Sequence, residues 1–159
     1  MLTSLQLQQT VQLGLSLYEH KSLYDRPIIF HVKRVVQRAI AKGYNNEIVA
    51  LCWLHDYHHV ASGGYARDVV FFLEDIDKKL AKELEILNPQ NYTSLRVHLN
   101  AVEQSLYPRI VKSLCIADEL IDMPPGDDRN TYLEYLGKYL EKVDGYNIQP
   151  HTSVPLLGN

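Results

Sequence analysis

The stretch NEIVALCWLHDYHHV, residues 46 to 60, decides the reading of this chain. Ile48, Leu51 and Cys52 fall at spacings of three and four, the mark of one buried helical stripe. Continuing that stripe leads to His55 and then His59, while Asp56 lies four beyond Cys52 on the edge of the same face. A core-facing stripe that ends in titratable groups needs a reason, because an unpaired buried charge costs several kcal/mol in practice.

Outward from that stretch, helical periodicity dominates and no run of period two is long enough for a strand. A first helix is predicted from about Thr3 to Glu19, with Thr3 as N-cap. Pro27 fits the first position of a second, which carries Ile28, Val32, Val35, Val36 and Ile40 up to Gly43. The third begins at Asn45 or Asn46 and runs to the SGG loop at 62 to 64. The segment YARDVVFFLEDIDKKLAKELEIL is one bent helix or two short ones, and another follows Thr93. Pro108 opens PRIVKSLCIADELIDM, which the breaker PPGDD ends. Asp127 or Asp128 then caps a last helix bearing Leu133, Leu136, Leu140 and Val143. The expectation is an all-α bundle forming one domain over 1–145, followed by an irregular tail over 146–159 whose VPLL could dock on its own body or on a second copy.

Composition narrows the function classes. Lys plus Arg number 16 against 19 for Asp plus Glu, a formal charge of −3, which argues against a general nucleic-acid binder but allows a local basic pocket. Cys52 and Cys115 sit among apolar residues and read as reduced core thiols, hence a cytoplasmic compartment. The N-terminal stretch lacks a basic start and no segment reaches membrane-span length, so neither a signal peptide nor a membrane partner is expected.

Three predicted helices each interrupt a buried stripe with a metal-ligand type: His31, then His55 with Asp56, then Asp118. Taken singly, His31 reads as a core histidine and Asp118 as a packing carboxylate paired with Lys112 or Arg109. Taken together, two His and two Asp satisfy one another around a divalent ion, and mixed N/O donors suit Mn²⁺, Fe²⁺ or Zn²⁺ better than Ca²⁺.

This order, His31, His55-Asp56, Asp118, resembles the HD-domain superfamily of metal-dependent phosphohydrolases. It is most similar to the RelA/SpoT-type hydrolase domain, which removes the 3′-pyrophosphate of (p)ppGpp, and to its stand-alone small homologues. YDRPIIFHVKRVV resembles that family's Gly-x-Pro-Tyr-Ile-x-His-Pro, ALCWLHD its Ala-Ala-Leu-Leu-His-Asp, and VKSLCIADELIDM its Val-Lys-Leu-Ala-Asp-Arg-Leu-x-Asn-Met. The likeness covers about residues 5 to 123. It implies a single HD-type helical bundle, with His31, His55, Asp56 and Asp118 as ligands of one Mn²⁺-like ion. The implied function is hydrolysis of a nucleotide or alarmone by metal-activated water, either as pyrophosphate removal or as a 5′-nucleotidase or dNTP phosphohydrolase.

The departures are specific. Where the family places Glu-Asp to position the attacking water, this chain has His59 and Val60; Asp122 stands for the nucleotide-proximal Asn, and Val32 for the Pro after the first His. The roles open to His59 are a hydrogen-bond partner of a ligand, a general base, or an added ligand. His58 is expected to point outward. Lys21, Arg26, Arg34 and Lys112 are the candidate phosphate contacts, although lysines and arginines on a helix are most often its solvated face. Tyr18 and Tyr24 are candidates to stack on a base. Two other readings stand beside hydrolysis. One is a degenerate HD domain that binds a nucleotide or partner without turnover, which the absent Glu-Asp favours. The other is a zinc peptidase, since HDYHH spells His-Asp-x-x-His, but that leaves His31 and Asp118 unexplained.

Overall fold

In the computed structural model, which describes residues 1–23, 26–60 and 64–144, the chain is a helical bundle. Helix α1 (Ser4–Tyr18) opens with a reciprocal cap: Gln6 N–H donates to Thr3 Oγ1 at 3.1 Å, and Thr3 N–H to Gln6 Oε1 at 3.0 Å. Its buried positions, Thr10, Gly14 and Tyr18, recur every four residues and lie against α3 (Asn46–Leu54). A Cβ at Gly14 would already be in van der Waals contact with Trp53, 3.4 Å from its Cε3, so a branched side chain would have to push beyond that contact. Gly14→Val should therefore overpack the α1–α3 contact and lower stability by about 1–3 kcal/mol, read as the shift in urea midpoint. An unshifted midpoint would contradict that packing.

Helix α2 (Ile28–Ala41) buries Ile28, Val32, Val35, Val36 and Ala39, while Ile40 is exposed. It ends as Gly43 adopts φ +75°, with Gly43 N–H donating to the Ile40 carbonyl and Tyr44 N–H to the Ala39 carbonyl. Pro27 is not its first residue. Instead Pro27 closes an unexpected two-residue pairing, β1 (Ser22–Leu23) against β2 (Arg26–Pro27), antiparallel with Ser22 opposite Pro27. Its fixed φ of −60° with ψ 125° holds it extended, just ahead of the helix.

Helix α3 begins under the Asn45 cap, whose side chain accepts from Ile48 N–H at 3.0 Å, and buries every residue from Glu47 to Leu54. The Leu2 N–H and the Glu47 carboxylate pin the start of the chain to it. The predicted single third helix is broken: α3 stops at Leu54, His55 and Asp56 form a turn, and α4 (Tyr57–Val60) follows. The cause is local. His55 Nδ1 takes the Cys52 carbonyl at 2.6 Å, so a side chain is inserted into the ladder that would have carried the helix onward.

Beyond residues 61–63, α5 (Gly64–Ile76) and α6 (Lys78–Ile86) resolve the ambiguous segment as two helices, with Asp77 capping the second through Leu80 N–H. A 3-10 turn (Pro89–Asn91) leads to α7 (Leu95–Val102), capped by Ser94. Helix α8 (Leu106–Glu119) starts two residues before Pro108, which falls in the first turn where no helical hydrogen bond is lost. It ends before the PPGDD breaker, and Arg129 Nη1 donates to the Leu120 and Met123 carbonyls there at 2.7 and 3.0 Å. Asp127 is the first residue of α9 (Asp127–Asp144) rather than its cap, and with Asp128 it places negative charge at the N-terminal end.

Helix α8 is the shared wall of two apolar clusters. Ile110, Val111, Leu114 and Cys115 join the main core built on α2 and α3. Ile116 and Leu120 join Leu99, Tyr135 and Leu136 in a smaller one under α7 and α9. Leu133, read as part of the last helix's apolar set, and Ile121 are exposed. Among the described residues no helix is long and apolar enough to cross a membrane. The tail over 146–159, His151 and Tyr24 lie outside the described residues.

Candidate metal centre

The break after Leu54 turns His55 and Asp56 toward the first turns of α2 and the last turn of α8. His31 Nε2 and His55 Nε2 lie 3.1 Å apart. Asp56 Oδ2 is 3.6 Å from the first and 3.3 Å from the second. The remaining ring nitrogens point away. His55 Nδ1 donates to the Cys52 carbonyl at 2.6 Å, and His31 Nδ1 donates to Asp118 Oδ2 at 2.7 Å. With both Nδ1 atoms acting as donors to oxygens, the neutral rings must turn their Nε2 lone pairs toward each other. Two lone pairs and a carboxylate oxygen then face one small volume. That arrangement is repulsive unless a cation lies between them.

The four sequence-predicted ligands are thus brought together, but not as equals. Asp118 reaches the back nitrogen of His31, the carboxylate–histidine arrangement that fixes a ligand's tautomer and raises its basicity. Its predicted partner was Lys112 or Arg109. The structure instead gives it Arg34, with Nε to Oδ1 at 2.8 Å and Nη2 to Oδ2 at 3.1 Å, and Arg38 Nη2 at 3.9 Å. Burial would raise the Asp118 pKa, yet the bonds from His31 and Arg34 hold it down at about 2. Burial likewise opposes the charge of Asp56, and His55, His31 and His59 keep it well below the ordinary carboxylate range.

Without a metal a proton takes the cation's place. Burial disfavours charge on His31, but the bond to Asp118 and the nearby Cys115 and Asp56 outweigh it and push its pKa up to about 10. A pKa raised on folding contributes stability that is complete below the unfolded value of 6.5 and lost as pH rises through about 10. The urea midpoint of protein held in chelator should therefore fall between pH 6.5 and pH 10 from this group. A midpoint that rises across this window would contradict the arrangement.

Two groups escaped the sequence reading. The donor atoms of His31, His55 and Cys115 all lie within 4.8 Å of one another, although Cys115 read as an ordinary core thiol. Its signal was available: it lies three residues before Asp118 on the same face of α8. Glu119 Oε1 is 3.9 Å from His31 Nε2 with its side chain one-third exposed, which puts a second carboxylate at the open side of the cluster.

The other predicted residues divide plainly. His59 Nε2 is 3.8 Å from Asp56 Oδ1, on the side away from His55, and its side chain is 34% exposed. His58, expected to face outward, is buried, because the break after Leu54 reorients α4. Burial, with the nearby His59, lowers its pKa to about 3, so it is neutral. The donors of Asp56, His58 and His59 also lie within 4.8 Å of one another. Arg26 and Asp122 pair with each other at 2.8 Å on the surface. Lys112 Nζ stands 5.5 Å over the Tyr132 ring; burial opposes its charge, but Tyr132 and Glu119 hold its pKa above that of an ordinary lysine. Lys21 is exposed beside a cavity of about 390 Å³ lined by Leu15, Tyr18 and Ile29. Tyr18 is only 1% exposed, which removes it as a stacking platform; burial and the neighbouring Asp56 push its phenol upward. His98 is a core histidine bonded to the Ile86 carbonyl at 3.1 Å, and His20 is exposed.

No family model, no curated protein and no solved structure matches the chain.

Proposed function

We propose that the chain is a metal-dependent phosphohydrolase acting on a nucleotide or alarmone, with His31, His55 and Asp56 as protein ligands of one divalent ion. The observation that carries this reading is the facing pair of Nε2 atoms at 3.1 Å with Asp56 Oδ2 beside both. A bound divalent ion would supply a water of lowered pKa and polarise a phosphoryl oxygen. Asp118 and the Cys52 carbonyl orient the two rings. His59, whose Nε2 lies 3.8 Å from Asp56 Oδ1 on the exposed side, would accept a proton from such a water, and Glu119 is the other carboxylate on that side. The likeness to HD phosphohydrolases in the order of these residues supports a phosphate ester or anhydride as substrate.

A second reading has its own observation. His59 and Val60 stand where the resembled family has the Glu-Asp that positions the attacking water, which favours an HD-type domain that binds a nucleotide without cleaving it. Arg26, Arg34 and Lys112, the expected phosphate contacts, are engaged with Asp122, Asp118 and Tyr132, and phosphate would have to compete for them in either reading.

One experiment separates the two: phosphate and pyrophosphate release from (p)ppGpp, nucleoside 5′-monophosphates and dNTPs, with Mn²⁺, Zn²⁺ or Fe²⁺ and with chelator. Hydrolysis predicts release that needs metal and ceases in chelator. Nucleotide binding with no release over the whole panel would establish the second reading. If release occurs, His59→Ala should lower kcat by about 10²–10⁴ with little change in metal content, as expected for loss of a general base. An unchanged kcat would remove His59 from that role.

A further inference from the structure

We infer that Cys115 is a protein donor at this centre beside His31 and His55, and that its thiolate turns the site's preference from Mn²⁺ toward Zn²⁺ or Fe²⁺. This rests on the reading of the site as a metal centre and goes beyond it in naming the donor and the class of ion.

Three observations carry it. Cys115 Sγ and ring nitrogens of His31 and His55 form one group with no separation above 4.8 Å. One small ion could draw these three donors together, with Zn–S about 2.3 Å and Zn–N about 2.0–2.1 Å. Second, α8 meets His31 with two side chains one turn apart: Asp118 bonds its Nδ1 at 2.7 Å, while Cys115 belongs to the group that includes His55. The helix thus both orients the ligand histidine and adds a donor of its own. Third, Cys115 is 2% exposed and reduced, so its sulfur faces the cluster and the core, away from solvent.

The chemistry follows from the donor set. Two imidazoles and one thiolate are a borderline-to-soft environment. Thiolate selects Zn²⁺ and Fe²⁺, whereas Mn²⁺ and Mg²⁺ sites are built from carboxylates, carbonyls and water. Metal binding exchanges the Cys115 thiol proton, released to buffer, for the S–metal bond, so affinity rises with pH.

Cobalt makes the sulfur visible. Full-length protein is freed of metal with chelator and titrated with Co²⁺ under reducing conditions. The expected spectrum has visible ligand-field bands of a four-coordinate site together with a near-ultraviolet sulfur-to-cobalt charge-transfer band. Cys115→Ser should abolish the charge-transfer band while retaining ligand-field bands, and reduce the Zn²⁺-over-Mn²⁺ preference by at least about tenfold. Cys52→Ala, which alters the other buried thiol, should keep the band. Ligand-field bands without charge transfer in the wild-type protein, or a charge-transfer band that survives Cys115→Ser, would overturn the assignment while leaving the metal centre standing. No Co²⁺ spectrum at all would overturn both. If Cys115→Ser fails to fold, a band retained in Cys52→Ala assigns the sulfur to Cys115, and a band lost there overturns the assignment, because the chain has two cysteines.

Discussion

His55→Ala is expected to purify without metal and to lose all metal-dependent stabilisation. In the wild-type protein a ligand at 100 times its Kd adds about 2.7 kcal/mol to stability. A thermal-shift titration with Zn²⁺ or Mn²⁺ should accordingly raise the wild-type midpoint and leave that of the variant unmoved. The effect is large because His55 supplies Nε2 to both short contacts of the cluster, to His31 at 3.1 Å and to Asp56 at 3.3 Å. Any phosphate release should fall to the chelator background with it. A variant that still shifts with metal as the wild type does would show that the ion binds elsewhere.

Asp118→Asn carries the second large effect, on two readouts at once. The carboxylate accepts from His31 Nδ1 and from two nitrogens of Arg34, with its own side chain 2% exposed. Removing its charge leaves Arg34 facing a neutral amide. Breaking a buried pair costs about 3–5 kcal/mol, and because the Arg34 side chain is 33% exposed and can turn to water, about 2–4 kcal/mol is expected here. The amide oxygen can still accept from His31, so the tautomer survives while the ring loses basicity. Metal affinity should drop about 10–100-fold with stoichiometry retained. The stability loss on raising pH should also begin lower than in the wild type, because His31 no longer holds its proton against Asp118. Wild-type metal affinity in this variant would contradict the role assigned to the carboxylate.

Much of this arrangement is legible in the sequence, and the failures have physical causes. The helical stripes placed His31, His55, Asp56 and Asp118 on core faces, and the structure does bring all four together. The break after Leu54 was invisible because the apolar period continues through His55 to His59. Only the competition of an imidazole for the Cys52 carbonyl ends the helix, and no hydrophobic pattern records that. The same blindness sent His58 outward. Asp118 was matched with Lys112 or Arg109 because these lie on its own helix, whereas its partner Arg34 is 84 residues away. Cys115 passed as a core thiol because, by pattern, it is one: it joins the main apolar cluster, and its nearness to two imidazoles appears only once α2, α3 and α8 meet. The substrate-side expectations were read from positive charge alone. Charge on a helix says nothing about whether a carboxylate already holds it, as the Arg34–Asp118 pair shows.

The most direct measurement is anomalous scattering from a crystal grown with Zn²⁺ after chelator treatment. The account predicts one strong peak between His31 and His55, within about 2.0–2.2 Å of both Nε2 atoms and of an Asp56 oxygen. A zinc-saturated crystal with the two rings still in contact and no scatterer between them would contradict it.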